Sequence, residues 1–416
     1  MIFTLVILVL FRLGSVIPVP FINVQVLKDT VQNGSGGMAG LFEYFNILSG
    51  EAFSRATLFA LSISPYITAS IVIQLLTIAI PPLERMSKEG EEGRKKLTQI
   101  TRYTTVGLAL LTAIGYTAYI QMLDGGSGQL LIDNSLFAKI VMITCYCAGA
   151  AIIMWLAEKI NEHGIGNGIS LILFAGIAAS LPTMAYTAYV NGGDSLAGKL
   201  ILLGVFILIM VVMVGFIVFV TNAERRLPVQ YAKRQVGRKM YGGQSTFLPI
   251  KLNMSGVMPI IFASSIAAIP TTIAAIFPNS GFASFVNSFI STRSPIYMIV
   301  YFVLIIAFSY FYLAISFNPV EVANNLKKNG GFIAGIRPGK PTTDYITKIL
   351  GRVTFIGAIF LGVIATVPLI LGVVNPRLSG LAFGGSSLLI LVSVVIETAK
   401  EIEAQMTMRH YKGFLE

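Results

Sequence analysis

GKLILLGVFILIMVVMVGFIVFV, residues 198–220, holds a single charge, Lys199, and that charge stands at its edge. A helix rises about 1.5 Å per residue, so a run of this length crosses a hydrocarbon core of roughly 30 Å. Backbone polar groups in lipid must be satisfied within their own segment, which makes the run an α-helix. Nine further runs of the same kind lie near 1–20, 57–80, 103–121, 138–157, 169–190, 254–277, 296–317, 353–373 and 381–398. The expected fold is therefore an all-α polytopic membrane protein with ten transmembrane helices. An even count puts both chain ends on one side. The first run starts at Met1 without a charged stretch before it and without a small-residue cleavage signature, so it is expected to stay in the membrane.

Composition agrees with that reading and removes others. Of 416 residues, 55% are hydrophobic and only 12% charged, whereas soluble domains are about a quarter charged. A mean hydropathy of +0.78 belongs to chains that bury apolar surface in lipid. Soluble enzymes are excluded. Cys145 and Cys147 stand in C-x-C spacing inside an apolar run and read as small packing residues, not a disulfide or metal site. His163 and His410 are the only histidines, too few for a histidine-ligated metal or haem centre. No cofactor, metal or catalytic residue is expected.

Short loops rich in Lys and Arg stay cytoplasmic. Loops 81–102, 158–168, 222–253 and 318–352, with the tail from Glu397, hold 23 of these residues, against six on the other side and Arg12 inside the first span. Both termini are thereby assigned to the cytoplasm.

Segment 23–56 is more than a loop. Its middle, MAGLFEYFNILSG (38–50), is amphipathic and too short to span. Periodicity fits a re-entrant half-helix and an external surface helix equally well. Five spans on either side of residues 190–198 permit two similar halves, inverted because five is odd. The halves would run 1–190 and 198–398, with a tail over 399–416.

Ionisable residues are expensive at mid-membrane and usually mark ion coupling. Arg12 is the one clear case, and it reads as a structural residue capped by carbonyls or snorkelling. The second span, LSISPYITASIVIQLL (61–76), is polar for a lipid-facing helix. Ile63 and Ile67 share one face, Ser64 and Thr68 an adjacent stripe, Gln74 follows about two turns on, and Pro65 is expected to disturb the helix between them. Ile169 and Leu173 repeat the i,i+4 arrangement after the turn Gly164-Ile165-Gly166-Asn167-Gly168. That turn follows a helix, not a strand, so it reads as a tight connection and not as a phosphate cradle.

Loop 222–253 carries seven Lys/Arg against one Glu, interleaved with Tyr231 and Tyr241; loop 318–352 carries six against two acids. Such loops set orientation, and basic residues beside aromatics and tight turns also suit RNA or an acidic protein. The candidates are Arg225, Arg226, Lys233, Arg234, Arg238, Lys239, Arg337 and Lys340.

LFRLGSVIPVP (10–20), SPYITASIVIQLL (64–76), KEGEEGRKK (88–96), WLAEKINEHGIGNGIS (155–170), VQYAKRQVGRKMYGGQSTFLPIKLNMSGVMPIIFASS (229–265), NPVEVANNLKKNGGFIAGIRPGKPT (318–342) and FGGSSLLILV (383–392) together resemble the SecY family, the pore subunits of bacterial protein-conducting channels. The match covers nearly the whole chain in family order. It implies two inverted pseudo-symmetric halves forming an hourglass, closed by an aliphatic pore ring at Ile63, Ile67, Ile169, Leu173, Ile261 and Ile390. It implies that 38–50 is a short re-entrant plug helix, with Leu41, Phe42, Tyr44, Phe45, Ile47 and Leu48 as its apolar residues. Spans two and three against seven and eight resemble the lateral gate, with Thr68, Gln74 and Asn253 near the seam. The basic loops resemble the docking surface for the ribosome, its RNA included, and for the SecA motor ATPase. SecE and SecG are the implied small membrane partners, in the bacterial cell membrane. Family members usually open with a basic amphipathic segment, whereas this sequence opens at Met1-Ile2-Phe3; a trimmed or misassigned start is expected.

The physics is coherent with a channel for signal peptides and unfolded polypeptides. Varied cargo calls for few fixed polar partners, a narrow apolar constriction can dewet, and a seam between helices lets apolar segments leave for membrane lipid. Energy must come from elsewhere, because no G-x-x-x-x-G-K-[ST] loop is present. The competing readings are a small-solute secondary transporter and an intramembrane enzyme, the latter without a nucleophile and base.

Overall fold

The computed structural model describes residues 1–27, 46, 49–124, 130–193, 195–231, 234–236, 239–241, 245–254, 256–276, 280–289, 294–374 and 384–412. In chain order the helices are α1 (Ile2–Gly14), α2 (Ser64–Ala79), α3 (Pro81–Lys88), α4 (Glu91–Asp124), α5 (Leu136–His163), α6 (Gly168–Val190), α7 (Leu196–Thr221), α8 (Met258–Ile276), α9 (Gly281–Phe289), α10 (Pro295–Ser316), α11 (Pro319–Lys328), α12 (Lys340–Val374) and α13 (Gly384–Lys412). Each of the ten apolar runs contains a helix. Six of these regions, built on α4, α5, α6, α7, α10 and α12, are long and apolar enough to cross a membrane. The pair α2 and α3 reaches the same standard together but is bent by 106°. The membrane class stands; among the described residues six helices, or seven with the bent pair, reach that length, and α1 and the apolar part of α8 are shorter.

The late start of α2 corrects two expectations. Residues 50–63, expected in part as helix, form a run of tight turns. Pro65 does not disturb a helix already under way: it lies in the first turn of α2, where its missing N–H has no intrahelical partner to lose. The turn 164–168 is the tight connection anticipated. The Asn167 side chain accepts from the N–H groups of Ile169 and Ser170 and caps α6, and the Gly168 N–H donates to Asn161 Oδ1 at 2.8 Å.

The basic loops hold a structure that the all-α expectation lacked. Strands β1 (Glu224–Tyr231) and β4 (Ser245–Lys251) pair antiparallel, with Leu227 opposite Leu248 and Val229 opposite Thr246. On the other edge of β1 lies β5 (Gly331–Ile333), so the two basic loops are joined through one three-stranded sheet, ordered β4-β1-β5. The short strands β2 (Arg234–Val236) and β3 (Lys239–Tyr241) pair antiparallel in a separate two-stranded sheet. Leu227, Val229, Ile250 and Ile333 turn inward onto Ile346, Ile349, Leu350 and Val353 of α12, forming a small core of their own. The sheet is thus seated on a long helix, which alternating side chains make possible.

Two larger cores lie among the helices. One gathers α1, α2, α5, α6, α7, α8, α10, α12 and α13; the other packs 19–27 and 53–61 against α4 and α5 around Tyr116 and Tyr146. Helix packing leaves two seams between the first five spans and the last five. α8 lies against α4 and α2, and α13 lies against α6.

Candidate functional site: an aliphatic waist at two seams

The six residues expected to form the ring lie on the helices of these two seams. Ile63 precedes α2 and Ile67 lies in its first turn, Ile169 and Leu173 open α6, Ile261 is in the first turn of α8, and Ile390 is in α13. Ile63, Ile67, Leu173, Ile261 and Ile390 all belong to the largest core and none is more than 6% exposed; Ile169 is half-buried and packs against it. Four elements that meet at the two seams thus supply all six residues. Aliphatic side chains offer neither donor nor acceptor, so water between them would lose hydrogen bonds, and a constriction so lined favours the dry state.

Polar groups flank this waist. The hydroxyls of Ser62 and Ser64, beside Ile63, and of Ser387 and Ser393, three residues either side of Ile390, are buried and make no hydrogen bond among the described residues. An unsatisfied buried hydroxyl is unfavourable by about 1–3 kcal/mol.

Of the three residues expected near the α2/α8 seam, Asn253 is buried just ahead of α8, beside a recess lined by Leu252, Met254, Leu313, Thr354, Gly357 and Ala358. Thr68 is half-buried and Gln74 exposed, both on α2. The apolar plug candidates Leu41, Phe42, Tyr44, Phe45, Ile47 and Leu48 lie outside the described residues, as do Lys233 and Arg238. Asn46 is described: its side chain accepts the Ser54 N–H at 2.9 Å, tying it to the turns before α2. Arg234 and Lys239 fall on β2 and β3. Arg225 and Arg226 are exposed on β1, and Arg226 is held by Glu224 at 2.7 Å. Arg337 is exposed in a turn between Gly335 (φ 82°) and Gly339 (φ 107°). Its carbonyl accepts from Thr342 Oγ1 at 2.9 Å, which fixes the turn to the start of α12, where Lys340 is also exposed.

Two features of this region were not singled out from sequence. The carboxylate of Glu158 on α5 holds Arg102 of α4 through both oxygens, at 2.9 and 2.7 Å, and fastens these two helices. Gly149 of α5 lies so close to residues 49–63 that a Cβ there would fall 1.9 Å from the Leu58 carbonyl oxygen. No local pattern marks either one, because both depend on which helices become neighbours.

The SecY family model matches residues 57–399, a stretch that contains all six waist residues. The chain belongs to the SecY family. It is 47% identical to the protein translocase subunit SecY of Streptomyces galbus, over 100% of this chain and 96% of that protein. Its fold is similar to that of a solved protein-conducting channel, with a TM-score of 0.66 at 17% identity over 98% of this chain and 92% of the other. The canine Sec61 channel, solved in a ribosome–channel complex from the endoplasmic reticulum, gives 0.61 at 16% identity, over the same shares of the two chains.

Proposed function

We propose that this SecY-family chain is a protein-conducting channel that passes unfolded secretory polypeptides across the membrane and releases apolar segments sideways into lipid. The observation that carries the reading is membership of a family of translocase subunits, and the packing of six aliphatic side chains in or against one core, on the helices of both seams, supports it. Family membership and fold set aside the solute transporter and the intramembrane enzyme. In the proposed mechanism Ile63, Ile67, Ile169, Leu173, Ile261 and Ile390 form the closed ring, and a chain in transit replaces their mutual contacts with contacts to itself. Such contacts are non-directional, so cargo of any sequence can make them.

The α2/α4 to α8 seam is the proposed lateral gate, with Thr68, Gln74 and Asn253 along it. An apolar segment at that seam partitions into lipid when its transfer free energy favours it, and a polar one continues across. Residues 38–50 act as the plug. The halves 1–190 and 198–398 move about the α6–α7 connection, and 399–416 forms a tail. In the proposed orientation both termini face the cytoplasm of a bacterial cell, a reading the 23-to-six charge split supports.

Arg225, Arg226, Lys233, Arg234, Arg238, Lys239, Arg337 and Lys340 form the docking face for SecA and the ribosome, while SecE and SecG stand beside the channel in the membrane. A relative solved on a ribosome supports the ribosome as a partner. So does the joining of both basic loops in one sheet, since a docked partner then meets one surface. Crosslinking tests the path: a photoreactive group at Ile67 or Ile261 should capture a stalled secretory chain. Capture at Trp155, exposed on the outer surface of α5, should not occur. Equal capture at both would contradict a central pore.

A further inference from the structure

We propose that Arg12 is a positioning residue for the waist: its guanidinium clamps the strained turns 49–63 between α1 and α6, and loss of that clamp lets ions pass the resting channel. The inference rests on the channel reading above and adds a residue that holds it shut. Arg12 Nη1 donates to the Gly50 carbonyl at 2.9 Å. Gly50 has φ 64°, and a Cβ there would lie 2.7 Å from Arg12 Nη1 and 2.9 Å from the Gly176 carbonyl oxygen of α6. Gly50 is therefore wedged between the arginine of one helix and the backbone of another, at a position that admits no side chain.

The contact acts on both flanks of the waist. Gly176 follows Leu173 by three residues on α6, close to one helical turn. From Gly50 the chain runs through Glu51 (φ 69°), Ala56 (φ 45°) and Ser62 (φ 52°) directly into Ile63. Non-glycine residues with such φ angles are strained and persist only where their surroundings over-determine them. Those surroundings are on hand. The Leu58 N–H donates to the Ile17 carbonyl at 2.9 Å, and the Val19 N–H to the Ala56 carbonyl at 3.0 Å, both tying the turns to the chain after α1. Glu51 bonds Arg55 at 2.6 Å while its other oxygen, Oε1, is buried without a hydrogen bond among the described residues. A cation in an apolar setting is unfavourable unless it is hydrogen-bonded, and here the Gly50 carbonyl accepts its bond. The clamp is thus a charge-assisted bond that fixes a strained element whose end is a ring residue.

The test uses purified channel with its membrane partners, with resting ion conductance measured per channel in planar bilayers for Arg12→Leu, Arg12→Lys, Gly50→Ala and the Arg12→Leu/Gly50→Ala double. A charge-assisted bond favouring the closed state predicts about tenfold higher resting conductance for Arg12→Leu and for Gly50→Ala. Arg12→Lys, which keeps a charge and a donor, should recover part of the seal. The double should leak no more than either single, because both break one contact. Wild-type conductance in Arg12→Leu, alongside a leak when Ile67 and Ile261 are truncated, would overturn the clamp, and so would a double that leaks about a hundredfold. If Arg12→Leu fails to assemble, Gly50→Ala decides alone: conductance at the wild-type level refutes the inference. Failure of the channel reading itself would appear separately, as a wild-type complex that passes no polypeptide.

Discussion

Truncating the waist while leaving the helices intact is the sharpest perturbation of the closed state. Ile67→Ala with Ile261→Ala removes three carbons at each of two buried positions, on opposite sides of the α2/α8 seam. At about 0.8 kcal/mol per buried carbon group, each site loses roughly 2 kcal/mol of apolar contact. A loss of that size corresponds to about a 30-fold rise in the wetted population per site, and neighbouring sites need not add. Alanine is preferred to glycine because glycine in a helix would add about 1 kcal/mol of unrelated destabilisation. The assay is resting conductance of purified channels in planar bilayers. Ile120→Ala serves as control: Ile120 is equally buried, but in the separate core around Tyr116 and Tyr146. It should lower thermal stability by a similar amount and leave conductance unchanged. A double variant within twofold of wild type, or a control that leaks as much, would refute the reasoning that these isoleucines keep the pore dry.

Single cysteines at Gly242 and Ser280, in a background without Cys145 and Cys147, should label from opposite sides of the membrane; labelling of both from outside would undo the orientation. Arg337→Glu should leave insertion and the amount of channel unchanged but reduce SecA-driven translocation in vesicles by about tenfold or more, since a reversed charge repels what the exposed arginine attracts. Normal transport would reduce Arg337 to a topology signal. Gly149→Ala should block assembly or strongly lower the unfolding temperature, because its Cβ would overlap the Leu58 carbonyl; an unperturbed melt would show that the turns 49–63 can move away freely.

The membrane class and the positions of the helices were legible in the sequence because each rests on a local signal. A run such as 198–220 has one structural solution in lipid, and the basic loops declare themselves by composition. The turns 49–63 were not legible, since nothing in Glu51, Ala56 or Ser62 announces a positive φ; tertiary contacts impose it. The sheet was overlooked although its sign was present. In ERRLPVQY the buried Leu227 and Val229 alternate with exposed neighbours, but Pro228 and the flanking arginines drew the reading toward a charged loop. β5 lies about a hundred residues further along, and no local pattern pairs it with β1. The waist residues followed from the family resemblance, whereas periodicity alone offered only shared helix faces at Ile63/Ile67 and Ile169/Leu173. The packing of α2 against α8 and of α6 against α13 appears only in three dimensions.

A channel of this kind should move polypeptide in a fully defined system. The purified chain is reconstituted with SecE and SecG in sealed vesicles, supplied with SecA, ATP and an unfolded secretory protein, and the fraction of substrate protected from external protease is followed. Protection should depend on ATP and be abolished when a folded, crosslinked domain blocks the substrate, with the stalled chain crosslinked to Ile67 or Ile261. Absence of protection in vesicles with verified channel and motor, or protection without any crosslink to the waist, would contradict a polypeptide channel.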